Sequence, residues 1–540
     1  MSYRRSTLTP YVAIAVLLAT LRHGCALPHH RVISPAVWPS PPAVVVLSWD
    51  GAPAWLVDRM LDEGRLPNLA RLRARGASFA HSVSNFPDPS TPCGHASLWT
   101  GADSAVHGIT GYFIPSFPSN EHTVLEKRIG FGSYLLQAEP FWIPFLEAGR
   151  NVTLVHTPHQ YPFSAYTTAK RFGADVGRNL TILDGFGENE VNTWPERLRQ
   201  EYLDRVGTFL GKDAKVSYRK GAFGKTIPEG GDGSAEQRYL ASVEEVAAHF
   251  RKATLFGMRR TAWDLLICYT PFPDSALHMW SGLIDPHSAA YNAAWAQKLW
   301  PFVVRVMQTC DRHLGTIMFN APTSAVIALV SDHGMLGVSK NLNVNVVMRK
   351  AGLLALGDKG SIDLSRTMVV YPPGGNSLLR INSKQFIQGI VPDMERAEVV
   401  REATQALLDV RDPDTGNFVV TGVLDSATLG PSLGFGGERS GDLMVLVADG
   451  YDLDDNVKTD AIVSLVHPLH SGSHKFNPAH PSNRAILYVS GPGVPVGVRL
   501  PSVHHRDVAP TLCRLAHVRS PAQATGSPID IARASQRHAR

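Results

Sequence analysis

Cysteine is scarce in this chain. Of the five in 540 residues, Cys93, Cys268, Cys310 and Cys513 lie far apart and form no CxxC pair, which excludes a zinc ribbon and a dense disulfide framework. An excess of charge of one sign is also missing: 52 Lys and Arg stand against 47 Asp and Glu, a net charge of +5. No dense basic block occurs, so a nucleic-acid duplex is not an expected partner. Beyond Tyr11–Leu21 there is no long apolar run, and that one is short for a bilayer-spanning helix. No internal repeat is visible. The hydrophobic fraction of 44% supplies a sizeable core and excludes wholesale disorder.

The N-terminus carries the marks of an export signal. Arg4 and Arg5 precede the apolar run, and the small residues of Gly24-Cys25-Ala26 follow it, so residues 1–26 are expected to be a cleaved signal peptide. An uncleaved anchor is the competing reading. Residues 27–42 are rich in Pro and His and read as a linker. The mature protein is then expected to be secreted or periplasmic, with no membrane span.

From Ala43 onward the pattern is α/β. Ala43-Val44-Val45-Val46-Leu47 is a continuous apolar run of the kind buried on both faces of a sheet. Similar runs occur at Trp263–Tyr269, Ala325–Val330 and Ala485–Val489. Helical patterns, Ala54–Arg75 and Ala289–Met318 among them, separate the runs. The alternation predicts a doubly wound, mostly parallel sheet with helices on both faces. A catalytic domain is expected over 43–520, followed by a C-terminal tail over 521–540. Two stretches fit the alternation less well, about 113–253 and 341–459, and are read as inserted cap segments that shape a pocket.

Three of these strands end in acidic residues. Asp50-Gly51 follows the first, Pro273-Asp274-Ser275-Ala276-Leu277-His278 the second, and Ser331-Asp332-His333-Gly334 the third. In such sheets ligands bind beyond the carboxyl ends of the strands. Two further segments belong with them: Ser90-Thr91-Pro92-Cys93-Gly94-His95 before a helix ending at Thr100-Gly101, and Gly472-Ser473-His474 late in the chain. Each has a structural explanation of its own. Asp at a strand end is a common turn former, and Thr-Pro is a sound helix start. Together they suit a different chemistry. Carboxylates mixed with imidazoles are a donor set for zinc, with manganese or iron as alternatives. A hydroxyl at a helix N-terminus has backbone N–H groups beside it that favour an anion, and a metal turns it into a better nucleophile.

In the order of these motifs the chain resembles the alkaline phosphatase superfamily and, within it, the type I phosphodiesterase/nucleotide pyrophosphatase family. The resemblance covers roughly Ala43–Gly111, Ala262–Gly337 and Ser471–Ala516, and Val106-His107-Gly108-Ile109 resembles the stretch after the family's nucleophile helix. It implies an alkaline-phosphatase-like fold and hydrolysis of phosphate diesters or nucleotide pyrophosphates. It implies Thr91 as the nucleophile and two divalent metal ions, zinc by the donor set. Asp274, His278 and His474 would hold one metal. Asp50, Asp332 and His333, with Thr91, would hold the other. The expected partner is a small phosphate ester or a nucleotide.

The match departs from the family at two places. Many relatives carry an Asn three residues after the nucleophile; here it is Gly94, whose backbone N–H is the expected substitute at a phosphate oxygen, with Cys93 and His95 as the alternatives. The residue after the last ligand is Lys475 where Gly is common, and a solvent-facing lysine is expected. His470 and His480 are rival ligands to His474. Tyr112, Phe113 and Phe117 could stack on a base or pack in the core. Three alternatives share the core: a phosphomonoesterase, which needs more positive charge than is visible near Thr91; a phosphonate hydrolase, favoured by a lysine from an insertion such as Lys127 or Lys170; and a binding protein without activity.

Overall fold

In a computed structural model of the protein, residues 41–167, 176–185, 191–208, 214–374, 378–475 and 477–531 are described. The expected signal peptide, all but the end of the expected linker and Lys170 lie outside them.

The apolar run at the start of the domain forms the strand Val44–Trp49 and is buried along its whole length. It pairs in parallel with Val326–Val330 on one side and Leu265–Thr270 on the other. Among the described residues the sheet has nine strands. Outward from Leu265–Thr270 come Val152–Val155 and Leu180–Asp184, both parallel, then Asn192–Trp194, antiparallel. Outward from Val326–Val330 come Leu487–Ser490 and Gly76–Phe79, each antiparallel to its neighbour, then Val498–Leu500, parallel. The sheet is therefore parallel at its centre and mixed at its flanks.

Side chains alternate faces along a strand, and two separate cores result. Val45, Leu47 and Trp49 pack with the helices Ala54–Asp62, Ser234–Arg260, Asp274–Ile284 and Ala293–Asn320. Val44 and Val46 pack with Thr91–Thr100, Trp142–Glu147 and Val508–Leu515 on the opposite face. Helices on both faces explain why the central strands read as unbroken apolar runs.

The structure differs from the sequence reading in two places. The helical pattern Ala54–Arg75 is two helices, Ala54–Asp62 and Pro67–Ala74. Gly64, at φ +69°, makes the turn, and Pro67 opens the second helix, where its missing N–H costs nothing. The stretch 113–253, expected as an insertion, supplies three of the nine strands and most of the 27-residue helix Ser234–Arg260. Its strands are only 3 to 5 residues long, too short to stand out by periodicity. The stretch 341–459 does lie apart from the nine-stranded sheet. It holds a separate sheet in the order Val369–Val370, Leu378–Ile381, Leu443–Val447, Val420–Asp425, packed with the helix Arg396–Leu408 around its own core.

Candidate active site

The site forms where the parallel strands end. Asp50 follows Trp49 directly, and its N–H donates to Thr270 O of the neighbouring strand at 3.1 Å. Gly51 then turns the chain at φ +59°, and a Cβ there would meet the Asp274 Cβ at 2.8 Å. The glycine is thus needed for the backbone angle and for the close approach of Asp274. Its N–H donates to Asp332 Oδ1 at 3.0 Å. One dipeptide therefore ties three strand ends together.

Asp274 opens the helix Asp274–Ile284, and His278 sits one turn later on the same face. His278 Nε2 lies 3.3 Å from Asp274 Oδ1, while Nδ1 is 3.0 Å from Gly472 O. Gly472 is in contact with this helix: a Cβ there would meet Leu277 O at 2.1 Å. His474, two residues on, brings Nε2 to 4.0 Å from Asp274 Oδ1. His333 stacks on His474 with ring centroids 3.9 Å apart. Its Nδ1 is 2.9 Å from Gly334 O, and its Nε2 lies 3.3 Å from Asp332 Oδ2 and 3.5 Å from Asp50 Oδ1. With Nδ1 of His278 and His333 engaged by backbone carbonyls, Nε2 is the nitrogen each presents inward, the arrangement that orients metal-binding imidazoles.

Two groups of donors result, each with its atoms within 4.8 Å of one another: Asp274, His278 and His474, and Asp50, Asp274 and His333. Asp274 belongs to both, and Asp332 adjoins the second through His333. Asp274 Oδ1, His333 Nε2 and His474 Nδ1 are buried without a hydrogen-bond partner among the described residues. Buried polar atoms left this way are costly unless something satisfies them. The donor set and the unpaired atoms both fit divalent cations. The electrostatics agree. Burial pushes the Asp50 carboxyl well above its usual range, and repulsion from Asp332 and Asp274 adds to it. Burial acts the same way on Asp332, but the imidazoles of His333 and His95 outweigh it and hold this carboxyl low. Burial first, reinforced by Lys215 and Arg219 at His278 and by the His333 and His278 imidazoles at His474, carries both well below the usual imidazole range, which favours the neutral form that donates a lone pair.

Thr91 is the first residue of the helix Thr91–Thr100, with Ser90 rather than Thr91 in the N-cap position. The Thr91 hydroxyl is therefore not spent on capping and lies 3.4 Å from Asp50 Oδ1. The structure corrects the expectation for Gly94. Its N–H donates to Ser90 O at 2.8 Å within the helix and is not free for a phosphate oxygen. Its role is steric: a Cβ would meet Asp332 O at 2.5 Å, so the glycine lets the helix Thr91–Thr100 lie against the strand end.

A cavity of about 810 Å³ opens over Thr91, Asp50, Asp274, His278 and His474. Lys475 lines it, where a solvent-facing side chain was expected. Attraction to Asp452 raises its ammonium above the ordinary lysine range. Tyr112 is also on the wall, with Phe131, Tyr134 and Tyr161. Phe113 and Phe117 instead carry Lys127, Arg128 and Arg439 over their rings. Lys127 also donates to Pro373 O, away from Thr91. Of the rival histidines, His480 pairs with the exposed Asp449, and His470 is in neither donor group.

The family model described as "Type I phosphodiesterase / nucleotide pyrophosphatase" matches residues 44–477. The chain belongs to the type I phosphodiesterase/nucleotide pyrophosphatase family. It is accordingly a hydrolase of the phosphodiesterase/pyrophosphatase class. Comparison with curated protein sequences finds no match. Among solved structures, murine ectonucleotide pyrophosphatase/phosphodiesterase 5 is similar at 17% identity and TM-score 0.50, over 88% of this chain and 96% of the murine one. An inactive form of that murine protein in complex with AMP is similar at 17% identity and TM-score 0.50, over 89% and 96%. The human counterpart is 15% identical with TM-score 0.49, over 90% and 97%. At such identities the likeness to the murine structures concerns the fold, the one predicted from sequence.

Two residues of this phosphodiesterase-family site, His159 and Tyr269, escaped the sequence reading, and His95 was read only as an alternative partner for a phosphate oxygen. His95, one turn after Thr91, places Nδ1 2.8 Å from Thr91 O and 3.2 Å from Asp332 Oδ2, and Nε2 2.8 Å from Ser48 Oγ. Its spacing from Thr91 was the available signal. His159 Nε2 lies 2.8 Å from Pro92 O and pins the start of the helix Thr91–Thr100. Tyr269 donates to Asp50 Oδ2. Its position opposite Ser48 depends on strand register, which a single sequence does not show.

Proposed function

We propose that the chain hydrolyses phosphate diesters or nucleotide pyrophosphates through a phospho-threonine at Thr91. The observation that carries this is the Thr91 hydroxyl, not used as a helix cap, donating to Asp50 Oδ1 at 3.4 Å and lying beside both donor groups at the floor of the cavity. Asp274, His278 and His474 would hold one divalent cation, and Asp50, Asp332 and His333, with Thr91, a second. Zinc suits the mixed carboxylate and imidazole donors. When bound, the cations supply charge neutralisation and lower the pKa of a coordinated hydroxyl.

The chain's own groups do the rest. The Thr91 oxygen attacks phosphorus, a new O–P bond forms as the bond to the leaving oxygen breaks, and the hydroxyl proton passes to solvent, from which the leaving oxygen takes one up. Asp50, fixed by Tyr269, holds the Thr91 oxygen in place. Water then attacks phosphorus, and Thr91 departs with its oxygen and regains a proton. Helix N–H groups beside Thr91 favour the anionic phosphoryl group in both steps. The murine complex with AMP supports a nucleotide as one half of the substrate, and Tyr112 and Phe131 on the cavity wall suit a flat base. The Arg4-Arg5 and Tyr11–Leu21 pattern supports export after cleavage near residue 26. Among the described residues no helix is long and apolar enough to cross a membrane.

A second reading, a monoesterase or phosphonate hydrolase on the same core, is favoured by a lysine on the cavity wall: Lys215, neither of the two singled out from sequence. The test is turnover of bis-p-nitrophenyl phosphate and p-nitrophenyl phosphate by the zinc-loaded wild type and Thr91→Ala. Faster diester turnover that vanishes in the variant supports the first reading. Monoester preference lost in the variant supports the second. Undiminished turnover in the variant rules out Thr91.

A further inference from the structure

Lys215 sits on the short helix Ala214–Arg219, far in sequence from every motif of the site. It lines the same cavity as Thr91, Asp50, Asp274, Ser275 and His278. The helix is held firmly. The Tyr218 hydroxyl donates to Glu236 Oε1 at 2.6 Å and accepts from Trp280 Nε1 at 3.3 Å, and its ring stacks on Tyr239. Arg219 donates from Nε to Leu469 O at 3.1 Å. Trp280 belongs to the helix that carries Asp274 and His278, so Lys215 is fixed relative to them.

The lysine's charge is poorly compensated. Among the described residues no carboxylate comes within ion-pair distance of its Nζ. Burial lowers its pKa, opposed by the charges of Asp274 and Asp50. Those two carboxylates are the proposed ligands of cations. Once they are neutralised, Lys215 faces the cavity as a half-buried cation with no carboxylate of the described residues at ion-pair distance, a costly state unless an anion arrives. Lys475, across the cavity, differs because Asp452, Asp88 and Asp454 surround it.

We propose that Lys215 is a specificity-determining residue that receives a second negative group of the substrate, a phosphate or carboxylate carried on the Asp274–His278 side of the scissile phosphorus. A diphosphate linkage and a phosphonate bearing a carboxylate both present such a group. The assignment rests on the two-metal hydrolase reading.

Equilibrium binding tests it independently of turnover. Calorimetric titration of the zinc-loaded wild type, Lys215→Ala and Lys215→Arg with inorganic pyrophosphate, phosphonoacetate and orthophosphate separates the sources. A charge-assisted contact predicts that Lys215→Ala weakens pyrophosphate or phosphonoacetate about tenfold or more, and orthophosphate much less. Lys215→Arg restores most of the loss. Whichever of the two larger anions shows the effect names the linkage. Equal weakening of all three anions, no weakening, or no binding of either larger anion to the wild type overturns the proposal. Failure of the wild type to turn over diesters would count against the hydrolase reading instead and would leave these ratios interpretable.

Discussion

Asp50 divides its two oxygens between Thr91 and Tyr269: Oδ1 lies 3.4 Å from the Thr91 hydroxyl, and Oδ2 accepts the Tyr269 phenol. Burial and two neighbouring carboxylates push Asp50 toward its protonated form, and the phenol opposes them. Tyr269→Phe removes that support. The expected outcome is a loss of roughly tenfold in zinc affinity or in kcat/KM, the usual effect of removing a partner of a metal-ligating group. The activity profile of the variant should also fall off at a higher pH on its acidic side. Steady-state kinetics across pH with metal titration check this, and a variant equal to wild type in both contradicts it.

Gly94→Ala pits two effects against each other. Alanine is the better helix former by about 0.5–1 kcal/mol. Its Cβ, however, would lie 2.5 Å from Asp332 O, and forcing atoms into a packed interior costs about 1–3 kcal/mol. The backbone cannot swing aside as a flexible side chain would, so the clash should win. A lower Tm is expected, together with weaker zinc binding as Asp332 is displaced. A Tm at or above wild type would show that the helix shifts freely.

The fold and the clustering of the Asp and His side chains were largely legible because each lies in a local pattern. Val44–Leu47 reads as a buried strand from four consecutive apolar residues, and Asp50-Gly51 marks its end. Asp274 and His278 are one helical turn apart, so their shared face follows from spacing alone. What was hidden depends on tertiary placement. Lys215 lies in a stretch without clear periodicity, and contacts distant in sequence, Tyr218–Trp280 and Arg219–Leu469 among them, bring it to the site. Gly94 looked like a spare backbone donor because the sequence does not show that its N–H is taken by Ser90. The stretch 113–253 looked like an insertion because its strands are too short to announce themselves.

Removing metal should destabilise the protein as well as inactivate it. Asp50, Asp274 and Asp332 are all nearly inaccessible, at 3%, 8% and 0% exposure, and converge where cations would offset them. Chelation is expected to lower Tm by an amount on the order of 5 °C, and zinc to restore it, because a ligand bound only by the folded state adds to stability. Thermal unfolding before and after dialysis against a chelator checks this. An unchanged Tm would mean the carboxylates need no counter-charge.

His313 gives a pH dependence remote from the site. It is buried, 2.8 Å from Thr254 Oγ1, and burial depresses its pKa from 6.5 to about 3. The unfolded chain therefore takes up this proton first as pH falls. Stability is present above pH 6.5 and is lost toward pH 3, at up to about 1.4 kcal/mol per pH unit for one such group. His313→Gln should make the loss between pH 6.5 and 5 shallower. Denaturant unfolding at several pH values measures the slope, and an identical slope contradicts the assignment.

The central claim is a covalent intermediate on Thr91, and the stereochemical course at phosphorus tests it most directly. A phosphorothioate diester chiral at phosphorus, hydrolysed in isotopically labelled water, reports the number of in-line displacements. Attack by Thr91 followed by attack by water inverts phosphorus twice, so the account predicts net retention. Net inversion would mean that water attacks the substrate directly and that Thr91 is not the nucleophile.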